Sequence, residues 1–289
     1  MERLEQSNTP RGPWFPLALL LVCYALFDFH SPALIDALWG ANEYPPLPGI
    51  LLMLATFGCL AAQYGALVAW SVLGTRPAIG RWAVSFVAAE CLLGLHTWAW
   101  ALFSDRKAGF GAALEALAIG FLAAQMPVWV LRVGQGYRLV TAGERLPPAR
   151  RFAVRDLLIA TAAIAASLAL LQLGAGDAPR AETARAVAVS CAVGFAWSVL
   201  AVLPCLHSAF LSKKPGIGSC WIATYAIVAA LAATGAARAL GKGDTMDILM
   251  FFGVSFGAAA FVLHGSFLVL RHCGYSLRRV EIDPSGTSA

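Results

Sequence analysis

The sequence predicts an all-α integral membrane protein: eight transmembrane helices arranged as two parallel four-helix repeats. Three observations predict it. First, 59% of the 289 residues are hydrophobic and 13% are charged. A soluble domain carries about 25% charged residues, so long water-soluble domains are excluded. Second, the apolar runs are unbroken and rich in Ala and Leu, good helix formers. An outer-membrane barrel would instead show strands of roughly ten residues with alternating polarity. Third, Arg76-Pro77-Ala78-Ile79-Gly80 returns as Lys214-Pro215-Gly216-Ile217-Gly218, and Gly136-Tyr137-Arg138-Leu139 returns as Gly274-Tyr275-Ser276-Leu277. Both pairs share an offset of 138 positions, the signature of an internal repeat.

A spanning helix needs about 20 apolar residues, because each adds about 1.5 Å across a core about 30 Å thick. Eight runs qualify, near 14–34, 50–73, 82–103, 111–132, 156–175, 186–211, 219–240 and 247–270. In the first, the clean apolar stretch from Trp14 ends at Asp28, and Pro32 follows. A basic start before an apolar stretch also fits a signal peptide. No convincing small-x-small cleavage site follows, so the run is read as a helix. Asp28, His30, Asp36 and Glu43 are expected at or beyond its outer end, as solvated charge. The run Asn42 to Pro48 is a stiff turn into the second helix. Residues 1–132 then form a first four-helix unit. Residues 133–155, with three glycines, two prolines and five arginines, form a cytoplasmic basic linker, and residues 156–289 form a second unit with a short cytoplasmic tail.

Charge sets the orientation. With the amino terminus inside, the inner segments hold fifteen Lys and Arg and the outer ones six, which follows the positive-inside rule. Both termini are then cytoplasmic, in a multi-pass protein of the bacterial inner membrane. A four-helix unit has an even number of crossings, so the copies are parallel and their pseudo-axis runs along the membrane normal. The net charge of +5 needs no nucleic-acid partner; the partner is the lipid bilayer. Arg132, Arg155 and Arg271 stand at inner helix ends as membrane anchors, attracted to anionic lipid. Trp14, Trp70, Trp82, Trp129 and Trp221 fall near the inner boundary, and Trp39, Trp98 and Trp100 near the outer one, as an aromatic belt requires. Of seven cysteines, six lie inside the proposed helices. No Cys-x-x-Cys pair or zinc-ligand spacing occurs, so they read as packing thiols and no metal site is expected.

Polar groups at membrane depth are costly and therefore the first functional candidates. Gln63, Glu90 and Gln125, on three helices of the first unit, lie about 15, 12 and 10 Å from the inner boundary. Their counterparts at the 138-residue offset are Ala201, Val228 and Leu263, all apolar. A shared scaffold therefore does not demand a polar layer, and the three residues are read as a small polar intramembrane site. A carboxyl there can exchange a proton or bind a polar solute. The competing reading is an interhelical hydrogen bond of about 0.6 kcal/mol with no further role. His207 and His264 lie at depths about 3 Å apart and are weak candidates to ligate a haem iron across the bundle. Histidines bonded to backbone or lipid are the competing reading. No phosphate-binding loop, His-Glu-x-x-His, Gly-x-Ser-x-Gly or EF-hand loop occurs, and no catalytic residue is assigned.

The segment Arg151-Phe152-Ala153-Val154-Arg155-Asp156-Leu157-Leu158 resembles the Arg-Phe-x-x-Arg-Asp-Leu-Leu opening of a spanning helix in uncharacterised bacterial polytopic membrane proteins. The resemblance implies membrane location and no activity. Three function classes follow: a non-enzymatic membrane component, a small-solute or proton-coupled carrier using the polar layer around Glu90, and a membrane redox protein holding haem between His207 and His264.

Overall fold

The structure is a computed structural model that describes residues 15–39, 46–75, 77–103, 110–141, 180–212, 218, 221–224, 226–228, 231 and 245–280. The proposed fifth span, Arg155 and most of the 133–155 linker lie outside the described residues.

The apolar runs form long helices. They are α1 (Phe15–Trp39), α2 (Leu47–Leu73), α3 (Ala78–Phe103) and α4 (Phe110–Gly134), then α5 (Arg180–Trp197) and α6 (Thr245–His272). From Trp197 the α5 chain stays helical through a π turn (Ser198–Val202), one α turn (Leu203–Leu206) and a second π turn (His207–Leu211). Among the described residues, five helices are long and apolar enough to cross a membrane: Ala18–Trp39, Leu47–Leu73, Ile79–Phe103, Ser190–Leu211 and Gly253–His272. Their outward faces carry large apolar side chains such as Leu19, Val22, Leu26, Val87, Val193 and Phe261. Helices apolar on both inner and outer faces suit a surrounding of lipid tails.

Helix α2 is central. It packs along α6 and touches α1, α3 and α4, while α4 packs along α5. Small residues let these helices approach closely. A Cβ on Gly58 of α2 would run into the Ser255 carbonyl and Ala258 of α6, and one on Gly194 of α5 would run into the Gly120 backbone of α4. Ser255 Oγ donates to the Leu54 carbonyl across the first crossing at 3.1 Å. The buried core lies between α2, α6 and the π segment, with Leu67, Val72, Val202, Leu206, Leu263 and Phe267 at its centre.

The expectation of an all-α fold needs one correction. Two strands, β1 (Tyr137–Thr141) and β2 (Tyr275–Arg279), form an antiparallel ribbon that closes one end of the core. The cause is local. After α4 and α6 the chain turns at Gly136 (φ 72°) and Gly274 (φ 92°), a left-handed conformation open to glycine and used to end helices. Residues of strand preference (Tyr, Val, Thr) follow Gly136. Leu139 pairs with Leu277, Tyr137 with Arg279 and Thr141 with Tyr275. Leu139 and Leu277 are 138 apart, and adding 138 to Tyr137 and subtracting it from Arg279 gives Tyr275 and Thr141, which is another rung of the same ladder. Arg138 faces Arg278 in this register. Its guanidinium turns back to donate to the Arg132 and Tyr137 carbonyls at 3.0 and 2.9 Å, and burial holds its pKa below the usual arginine range.

Helix ends near the ribbon are held by arginine. The last carbonyls of a helix lack intrahelical donors and carry partial negative charge. At the end of α2, Arg81 Nε donates to Ser71 O at 2.8 Å, and Arg132 Nη1 donates to Val72 O and, at 3.3 Å, to Gly74 O. At the end of the second π turn, Arg271 Nη1 donates to Ala209 O at 2.6 Å and to Ser212 O at 3.3 Å. Arg132 also lies 5.5 Å over the Trp129 ring. Arg132 and Arg271, two of the expected membrane anchors, thus bind helix-end carbonyls.

Candidate functional site

Helix α1 does not end near Asp28; it runs on through Pro32 to Trp39. The expectation that Asp28 is solvated outer charge is therefore corrected: its side chain is 0% exposed. A proline has no N–H, so Pro32 leaves the carbonyl four residues earlier without its helical donor. That carbonyl belongs to Asp28. His96 of α3 takes it, with Nδ1 at 3.3 Å from Asp28 O. Trp100 Nε1 donates to His96 Nε2 at 3.0 Å. An indole N–H can only donate, so Nε2 accepts, and the ring proton sits on Nδ1, facing the carbonyl. His96 is neutral in this arrangement.

The Asp28 carboxyl is gripped from α2. Gln63 Nε2 donates to Asp28 Oδ1 at 2.9 Å, and Gln63 too is 0% exposed. Asp28 Oδ2 and Gln63 Oε1 are buried with no hydrogen-bond partner. One turn before Asp28, the Tyr24 hydroxyl pairs with Ser266 Oγ of α6 at 2.5 Å. Three helices thus converge on this stretch of α1.

Gln63, Glu90 and Gln125 are not joined to one another by any hydrogen bond among the described residues. Tyr64, next to Gln63 in the chain, donates its hydroxyl to the Ala89 carbonyl at 3.1 Å, and its ring meets Phe121 edge-on, centroids 6.0 Å apart. Gln125 is buried with Oε1 unbonded, and Glu90 is half buried. The bonded polar pair among these groups is Asp28 and Gln63. Spacing carried a signal for it: Tyr24, Asp28 and Ser31 recur at helical intervals on one face of α1.

A cavity of about 20 Å3 lies beside Gln63, walled by Leu20, Tyr24, Leu67, Trp70, Leu139 and Tyr275 among others. It lies between Gln63 and the ribbon residues Leu139 and Tyr275 and has room for roughly one water molecule. A second, of about 10 Å3, lies between Cys205, Ile222, Phe256 and Ala260. Neither is lined by His207 or His264. His207 is exposed, while His264 is buried against the Cys205 backbone. The two candidate haem ligands are thus not brought to one cavity.

No protein-family model matches the chain, and searches of curated proteins and of solved structures return no match.

Proposed function

We propose that the chain is a non-enzymatic component of the bacterial inner membrane, threading it eight times as two parallel four-helix units with both termini cytoplasmic. The observation that supports the non-enzymatic reading is the tight packing among the described residues: the cavities beside Gln63 and beside Cys205 hold about 20 and 10 Å3, far below the roughly 300 Å3 at which small-molecule sites begin. The duplication is supported by three features spaced by or near the same offset. The ribbon maps onto itself at 138 residues. Glycine turns precede both strands. An arginine from the last long helix of each half binds the carbonyl end of that half's second helix. Reporter fusions at the termini and in the loops test the topology; an external terminus overturns it. Complementation tests the role: Asp28→Asn and Glu90→Gln restore a deletion strain fully if no chemistry is performed at these carboxyls.

A second reading, a small-solute or proton-coupled carrier, is favoured by the unbonded acceptors on Asp28 and Gln63 and by the cavity that Gln63 lines. It relocates the polar site from Glu90 to Asp28. Failure of Asp28→Asn to complement, with normal membrane levels, selects it.

A further inference from the structure

We propose that Asp28 binds a proton on Oδ2 and closes a cyclic acid–amide pair with Gln63, making a sealed proton-binding site at the meeting of α1, α2 and α3. The argument is one of matching atoms. A carboxylic acid and a primary amide have complementary edges: the amide N–H donates to one acid oxygen, and the acid O–H donates to the amide oxygen. One half of that pair is present as Gln63 Nε2 to Asp28 Oδ1 at 2.9 Å. The two buried atoms left without partners are Asp28 Oδ2 and Gln63 Oε1, the two that the other half requires. A single proton satisfies both. Without it, two buried acceptors stay unmet, each costly to leave so.

Charge points the same way. A carboxylate buried at membrane depth requires a counter-charge. Among the described residues no Lys or Arg pairs with Asp28. The groups facing it are Cys59, Gln63 and Tyr64 from α2, His96 from α3, and Tyr24 on its own helix. From α6, Ser266 reaches only as far as Tyr24. His96 is neutral because its Nε2 accepts from Trp100. Ser31 Oγ, one turn on, lacks a partner itself, so it does not serve Oδ2. Binding forms one O–H bond at Oδ2 and takes the site from one negative charge to none. The cavity beside Gln63 has room for about one water molecule. The inference goes beyond both functional readings, since proton binding stands whether or not a solute or a partner is ever found.

Infrared spectra of the full-length protein in lipid vesicles at neutral pH, in H2O and D2O, test it. A protonated-carboxyl band that shifts on deuteration is expected in the parent and in Glu90→Gln and is lost in Asp28→Asn. Asn at 28 repeats the closed amide geometry without ionising, so its thermal midpoint stays within about 3 °C of the parent. If the Asp28→Asn chain does not fold, Gln63→Leu supplies the reading: the Asp28 band moves toward a free acid, and an unmoved band overturns the pairing. A spectrum in which Asp28→Asn removes a carboxylate band instead overturns the proposal. Solute or proton flux in the same vesicles reads the carrier hypothesis separately.

Discussion

Helix α2 and the helical stretch Arg180–Leu211 do the same mechanical work with different interiors. Each is crossed at a glycine by the last long helix of the other half, α2 by α6 and α5 by α4. Each ends on carbonyls held by an arginine from the last long helix of its own half. Yet α2 is a regular helix of 27 residues, while the other stretch breaks into two π turns around Pro204. Pro204 has no N–H and so leaves the Leu200 carbonyl without its α-helical donor; at the first π turn the Leu203 N–H reaches back five residues to Ser198 O. The buried Gln63 of α2 reaches Asp28, whereas the residue 138 positions on is the apolar Ala201, itself 3% exposed. The difference teaches that a glycine crossing and an arginine clamp at the helix end go with either interior, polar in α2 and apolar in the other stretch; on the proposed duplication, the polar pair is an addition to one half.

Substitutions that treat the halves alike or unlike test this. The largest effect is expected from Gly58→Leu and Gly194→Leu, where the new side chain meets backbone. Each should cost about 3 kcal/mol or more by overpacking, read as a lower thermal midpoint in detergent. A loss at one site alone would break the likeness of the crossings. Next come Arg132→Met and Arg271→Met, each removing charge-assisted bonds to helix-end carbonyls, at about 1.5–3 kcal/mol. Equal losses in chemical denaturation would sharpen the comparison. Ala201→Gln places an amide in the second half where no Asp28 awaits it and should destabilise by about 1–3 kcal/mol; a neutral result would show a hidden polar partner there. The smallest effect belongs to Pro204→Ala. Restoring the N–H should change stability by less than about 1 kcal/mol while slowing amide exchange across Ser198–Leu211 as the π turns tighten.

Much of the layout was legible residue by residue. The helices over 50–73, 82–103 and 111–132 follow from apolar length, and the glycine pair at 136 and 274 was visible as a repeated anchor. What that anchor did was not legible, because Gly-Tyr-x-Leu has no strand partner until the middle of the chain meets its last part. Asp28 was misplaced for a local reason: an acid followed by Pro32 looks like a helix end, and only the His96 ring shows how the proline's orphaned carbonyl is satisfied. Gln63 was singled out by depth, but Glu90 and Gln125 were joined to it by depth alone, which says nothing of the angle around a helix.

Composition and run length alone committed this polypeptide to apolar helices, since backbone groups among lipid tails must bond within their own segment. Which polar atoms meet was settled by packing, because a hydrogen bond needs partners within about 3 Å and helix rotation determines who arrives there. Asp28 and Gln63 are 35 residues apart in the chain, and no pattern along it could join them before α1 lay against α2.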